Sequence, residues 1–453
     1  MTRYVVSAKF GVKDTHRPLV NSDERHAQMA FLNESQHLRY GLDDILKCLK
    51  RLKLKPTSVG FDFLVLATMV HSADTRVNRI QTSQDAWTRE LRLVVPVLNH
   101  HKWIKATDVL QRMLRFLTGD LWSIDFRPWP SKVKAPISDG LKLTTNGLDS
   151  ISLFSGGLDS LIGAIDHLEN GAKTLFVSHG GESTVSKLQS DLFDELQKQF
   201  VGRANVDRIR WGLRFQGQLY PDMKGESSTR GRSFLFFSLA VAAGTSLRKD
   251  FTIRVPENGL IALNVPLDVT RLGSNSTRTT HPFYMHRWNE LLSILEIPGA
   301  LRNPYWNRTK GEMVSGCLNE KTLKALAPMS MSCAHPSQDR YIGSGKPHCG
   351  YCLPCIIRRA SFMSSWGKDP TGYQIDLTKD RLVSTAANGQ QIRAFQYALS
   401  RLAADPDVAQ SLVFKPGPLR EDSDIIPDLV DVYRRGMGEV AKVVGGLKVY
   451  SEG

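Results

Sequence analysis

No run of apolar residues in this chain approaches the roughly 18 that a membrane-crossing helix needs, so a spanning helix is excluded. The opening residues, MTRYVVSAKFGVKD, lack the apolar stretch of a secretory signal, and a cytoplasmic protein is the expectation. Internal repeats and low-complexity tracts are absent too, which excludes repeat architectures and long disordered tails. The formal net charge is +14, yet the basic residues form no long arm. That charge suits anionic partners such as ATP, a nucleic acid or an acidic protein, and by itself does not favour nucleic acid. Cysteine is scarce: six in 453 residues, four of them within 23 residues. In a reducing compartment such crowding points to a metal site before a disulfide framework.

What is present reads as a globular protein, with 41% hydrophobic and 23% charged residues. The length suits two or three domains. Residues 1–130 read as an accessory α+β domain. In it, Ile45, Leu46, Leu49 and Leu52 share one helical face. RELRLVVPVLN reads as a strand that Pro96 confines to an edge or a strand end. ATDVLQRMLRFLTGD reads as an amphipathic helix capped by Thr107 or Asp108 and closed near Gly119. The Pro-, Gly- and Lys-rich stretch RPWPSKVKAPISDGLKLTTNG marks a boundary. From 148 to 365 strands and helices alternate: SISLF, KTLFVSHG, VDRIRWGL and FTIRVPENGLIALNV as strands, with helical segments between them. That order predicts an α/β fold, a parallel sheet with helices on both faces. Residues 366–453 read as a helical C-terminal extension, clearest in IRAFQYALSRLAA and IPDLVDVYRRGMGEVAKVV.

The chemistry concentrates in two places. In SISLFSGGLDSLIGAIDHLENG, a β-branched apolar run leads through Ser155, Gly156, Gly157, Leu158, Asp159 and Ser160 into a helix. Glycines there leave backbone N–H groups bare at a helix N-terminus, a cradle for phosphate. A Walker A loop needs a Lys after its second glycine, and none follows here. Asp159 stands in the loop instead, where a carboxylate suits a Mg²⁺ that joins it to substrate phosphates. Ser155 and Ser160 add hydroxyl donors, and the Gly156 and Gly157 N–H groups complete the anion nest.

The second place is Cys333, then fifteen residues, then Cys349, Cys352 and Cys355. Four thiolates fill a tetrahedral Zn²⁺ with no open position, so the site is read as structural. His335 and His348 lie near enough to replace a thiolate but rank below the cysteines. Cys48 and Cys317 stand alone and read as core residues.

SLFSGGLDS resembles the loop of the PP-loop ATP pyrophosphatases. With the knuckle CGYCLPCIIR behind it, residues 148–365 resemble the 7-cyano-7-deazaguanine synthase (QueC) family. RGRSFLFFSLAVAAG is similar to that family's Gly-Arg-Asn helix opening, with Ser233 where Asn is usual. RTKGEMV is similar to its Thr-Lys-x-Glu segment. The resemblance implies ATP, Mg²⁺ and Zn²⁺ as cofactors, with Asp159, Lys310 and Arg232 as the catalytic candidates. Read from the residues alone, Arg232 can equally cap a helix and Lys310 can equally be solvated. The chain departs from QueC in its added N-terminal domain, its helical extension and its longer cysteine loop. In place of the segment that reads the deazaguanine stands ENGLIALNVPLDVTRLGSNSTRTTHPFY, whose run Ser276–His281 is dense in hydrogen-bond donors and is expected to shape a substrate pocket.

The layout, with HSADTRVNR and DAWTRELRLVVPV near the N-terminus, is similar to the QueC-like proteins of the Qat antiphage defence system (the QatC type). That resemblance implies adenylation of a 7-carboxy-7-deazaguanine-type acid and its transfer to an amine, with a protein partner from the same system supplying the amine in place of ammonia. No cysteine lies between 148 and 260, which weighs against persulfide thiolation there. Two other functions stay open: a PP-loop enzyme that modifies tRNA or DNA bases, and a non-catalytic assembly subunit of a defence complex.

Overall fold

In the computed structural model, residues 2–451 are described except 140–146, 149, 182, 204, 205, 216–218, 221, 222, 227, 268–277, 337 and 339–342; of 183 and 184 only the backbone is described. The alternation of strand and helix is realised twice, as two parallel sheets flanked by helices. The first sheet holds β1 (Tyr4–Lys9), β2 (Arg25–Ala30), β3 (Glu90–Val97) and β4 (Leu121–Pro128) in the order β2-β1-β3-β4. Every pairing in it is parallel. The first 130 residues are therefore α/β, not the α+β arrangement expected. Helices cross between strands that read locally as an isolated mixture, and a parallel pairing leaves no hairpin signal in the sequence. Pro96 sits at the carboxyl end of β3, beyond the last β1 pair, Ser7 with Val94, so its missing N–H removes nothing from that ladder.

The helix expected from residue 107 begins a full two turns earlier, at His100, behind Asn99. The apolar face formed by Trp103, Ala106 and Leu110 extends it, and Gly119 ends it in the left-handed conformation with φ 75°.

The second sheet holds β5 (Ser150–Leu153), β6 (Thr174–His179), β7 (Val206–Trp211), β8 (Phe251–Arg254) and β9 (Gly299–Arg302), ordered β7-β6-β5-β8-β9 and parallel throughout. From β5 the chain builds outward through β6 and β7, then returns to lay β8 on the other side of β5. The carboxyl end of β5 is thus the topological switch point, where open α/β sheets take ligands. The segment following β8 does not continue as strand: Asn258 caps a short helix, Gly259–Leu263, by accepting from the Ile261 N–H at 3.1 Å.

One apolar core runs from Tyr4 to Leu301 and takes in both sheets. Its axis is the helix Ser58–Arg76, buried on nearly every face, against the equally apolar helix Arg232–Thr245. A second core joins the helices Leu353–Trp366, Ala387–Ala404 and Ile426–Val444 to the turn at Leu260 and Leu263. Beyond residue 366 the described residues hold the helices Ala387–Ala404, Val408–Leu412 and Ile426–Val444. Among the described residues no helix is long and apolar enough to cross a membrane.

Candidate functional site

β5 ends at Leu153, and the chain turns through Phe154, Ser155 and Gly156 into the helix Leu158–Glu169, with Gly157 at its cap. Gly156 has φ +83°, in the left-handed region that favours glycine. A Cβ there would press within 3.2 Å of Gln189. Gln189 is the strut that explains the closeness: its Nε2 donates to the carbonyls of Phe154 and Ser155 at 3.1 and 3.0 Å. Ser155 Oγ accepts from the Gly157 N–H at 3.3 Å and donates to Ser160 Oγ at 3.2 Å, and Ser160 Oγ donates to the Gly157 carbonyl at 2.9 Å. The six loop residues thus form one hydrogen-bonded turn at the mouth of a helix.

Asp159 lies in the first turn of that helix, only 5% exposed. Its Oδ1 is 3.1 Å from Lys310 Nζ, and both side chains are buried. Its Oδ2 accepts from Asn258 Nδ2 at 2.7 Å and the Asn258 N–H at 3.3 Å. Burial opposes ionisation of Asp159, but the Lys310 ammonium and these donors hold its carboxyl below the usual range. Glu257 is driven the other way. Burial first, then the neighbouring Asp159 charge, push it well above the usual range, so it stays protonated and donates to Asp159. Lys310, Glu257, Asn258 and Asp159 therefore converge, and of these four the sequence motifs pointed to Asp159 and Lys310. Asn258 and Glu257 were missed because they reach Asp159 only through the pairing of β8 with β5.

Arg232 stands apart. It opens the helix Arg232–Thr245, its guanidinium 6.0 Å from the Phe236 ring centre, beside His71 and His179 at the carboxyl end of β6. Burial holds both imidazoles neutral, His71 pushed down to about 4 and His179 to about 3. Among the described residues Arg232 makes no hydrogen bond or ion pair to Asp159, Lys310 or the glycine loop. The donor-rich run is only partly described, Ser276 and Thr277 lying outside the described residues. Arg278 donates to the Phe116 carbonyl at 3.0 Å, and His281 caps the helix Pro282–Ile294 by accepting from the Phe283 N–H. Both are tied to packing against the first 130 residues.

The four cysteines come together. The Sγ atoms of Cys333, Cys349, Cys352 and Cys355 all lie within 4.8 Å of one another, and all four residues are buried. Cys333 to Cys352 is 3.9 Å and Cys349 to Cys355 is 4.0 Å. A tetrahedron with Zn–S near 2.3 Å has edges of roughly 3.8 Å, so the set fits zinc. Backbone N–H groups of Ala334, His335, Cys349 and Cys352 point at the sulfurs from 3.3–3.4 Å, as they do around thiolates. Cys333 and Cys349 are held below, and Cys352 and Cys355 above, the ordinary thiol range. Four thiolates cannot share this volume without a cation. His348 Nε2 faces the Ser330 carbonyl at 3.2 Å while its Nδ1 lies 4.0 Å from Cys355 Sγ, and His335 stacks on Tyr351.

The knuckle and the glycine loop touch. The Met331 N–H, two residues before Cys333, donates to the Gly156 carbonyl at 2.8 Å. Fully buried Arg358 ties the same segment down through Ser330, Ser332 and the Ala327 carbonyl.

No family model matches this chain, and no curated protein matches it. Among solved structures, a ketoreductase domain from the bacillaene assembly line is similar at 11% identity and a TM-score of 0.19, over 65% of this chain and 77% of that one.

Proposed function

We propose that this chain is an ATP-dependent adenylating enzyme of the PP-loop type, acting on a 7-carboxy-7-deazaguanine-type acid and passing the acyl group to an amine on a partner protein. The observation that carries the chemical part is the buried Asp159–Lys310 pair, set in the first turn of a helix behind a Ser-Gly-Gly loop at the sheet's switch point. The substrate class and the setting in antiphage defence rest on the sequence resemblance.

The oxygen donors Asp159, Ser155 and Ser160 suit Mg²⁺, and these residues would hold it. Bound there, it would supply positive charge against the departing pyrophosphate. The loop N–H groups bind ATP phosphates. Lys310 supplies a second positive charge beside the α-phosphate, and Asn258 with protonated Glu257 keeps Asp159 ionised and aimed. The acid's carboxylate oxygen attacks the α-phosphorus, and the bond to the bridging oxygen of pyrophosphate breaks. An amine nitrogen then attacks the acyl carbon, AMP leaves, and the amine gives up a proton. The buried four-cysteine group holds a structural metal and takes no part in these steps.

An ATP–pyrophosphate exchange assay tests this. Exchange that needs a deazaguanine acid and disappears in Asp159→Asn supports the proposal. Exchange that needs tRNA or DNA instead points to a base-modifying enzyme, and no exchange with any of these points to a non-catalytic subunit. Intact mass spectrometry of co-purified proteins checks the last step by a mass gain matching the acyl group.

A further inference from the structure

The helix Ile426–Val444 belongs to the C-terminal extension, yet it reaches both segments that supply partners to Asp159. Lys310 is the first residue of the short helix Lys310–Ser315. That turn is already a capping box: the Thr309 N–H donates to Glu312 at 2.9 Å, and the Glu312 N–H donates to Thr309 Oγ1 at 3.1 Å. Glu439, on the C-terminal helix, adds a further grip. One of its carboxylate oxygens accepts from the Thr309 hydroxyl, and the other accepts from the Gly311 N–H at 3.1 Å. The residues on either side of Lys310 are thus held by one carboxylate. A Cβ on Gly311 would overlap Glu439, so glycine is what lets the carboxylate approach.

One turn earlier on the same helix, Arg435 pairs with Glu312 and donates to the Asn307 carbonyl at 2.9 Å. On the same helix face, Val432 and Gly436 pack against Gly259 and Leu260, directly after Asn258. From the other side, Ser365 Oγ donates to the Gly311 carbonyl at 2.7 Å.

From this geometry we infer that Glu439 is a positioning residue: it locks the Thr309–Gly311 turn so that the Lys310 ammonium stays against Asp159. The C-terminal helix is then part of the catalytic construction, and a chain cut before it would lose the site even with the loop intact. The link to turnover rests on the proposed adenylation; the locking of Lys310 does not.

The experiment therefore has two readouts in the full-length protein, wild type, Glu439→Gln and Glu439→Asp. The first is acetylation of Lys310 by a pulse of acetic anhydride, read by peptide mass spectrometry. Lys310 is 5% exposed, so the wild type should label slowly. Gln keeps the size but offers one acceptor where the Thr309 hydroxyl and the Gly311 N–H both donate, and Asp is one methylene too short. Both should label Lys310 about tenfold faster, with surface lysines unchanged. The second is pyrophosphate exchange, whose kcat should fall about tenfold in Glu439→Gln while KM for ATP stays within about twofold. Equal Lys310 labelling in all three proteins overturns the inference, as does a loss of exchange confined to KM for ATP. Faster labelling of the variants alongside a wild type that shows no exchange supports the locking and sinks the adenylation reading instead.

Discussion

Two clusters of buried charge sit in this molecule, and they are built differently. Beneath the first sheet, Arg89 and Arg79 meet Asp74 and Asp120, all four at most 4% exposed. Every nitrogen of the Arg89 guanidinium donates: to both carboxylates and to the carbonyls of Ala73, Asp74 and Val77. Asp74 also accepts from the Gly231 N–H at 2.7 Å. That network is closed, two cations against two anions with the leftover donors on backbone carbonyls and the Ser228 hydroxyl. At the glycine loop, one ammonium faces one carboxylate, and a second carboxyl is kept protonated beside it. The closed network has no charge left for a ligand. The open one holds a lysine and an acid whose balance a bound polyphosphate would alter. Burial alone does not distinguish structure from chemistry; the count of partners does.

The sharpest way to break that contrast is to disturb the closed network. Arg89→Ala leaves two buried carboxylates short of a cation and should cost about 3–5 kcal/mol, read by urea unfolding. Asp159→Asn should do the reverse. It should lower pyrophosphate exchange by about 10²–10³-fold with a smaller loss of stability, because Glu257, freed of the neighbouring Asp159 charge, can ionise and compensate the Lys310 ammonium. If Asp159→Asn instead unfolds the protein as badly as Arg89→Ala, the two clusters are alike and the contrast fails.

Between these in expected size comes the four-cysteine cluster. Purified protein should carry one zinc per chain by atomic emission. Cys349→Ser should lose it and, through the Met331–Gly156 hydrogen bond, weaken ATP binding about five- to tenfold in a calorimetric titration. ATP affinity indifferent to metal would uncouple knuckle and loop.

The smallest effect comes from His281, outside both clusters. It is fully buried, pushed down to about 3 by burial, while the unfolded imidazole titrates near 6.5. A depressed folded pKa means that the unfolded chain binds the extra proton. Stability is therefore whole above pH 6.5 and falls as pH drops from there toward 3. Between pH 7.5 and 5.5 the loss from this residue should be about 1 kcal/mol. His281→Asn, which keeps a cap acceptor, should remove that part of the slope.

Much of the candidate site was legible along the chain. The glycine loop, its strand and its helix lie within 20 residues, and three of the four cysteines within seven. Lys310 was visible as part of RTKGEMV, though only packing shows that it is buried against Asp159. Asn258 was invisible. PENGLIALNV reads as continuing β-branched and apolar strand, and the Asn cap that turns it into a helix is a weak local signal. Arg232 illustrates the opposite case, a segment with the right letters that the fold sets beside His179 and Phe236.

By itself, then, the sequence determined the glycine loop and the four-cysteine knuckle, because a backbone turn and a closely spaced cysteine run join residues that are neighbours along the chain. Only the tertiary structure decided the parallel order of the first sheet, the Asn258 and Glu257 partners of Asp159, and the grip of Glu439 on a turn 128 residues away. The reason is physical. Whether a carboxyl is ionised, and whether a lysine is held, depends on which distant elements exclude water around it, and that is settled by packing.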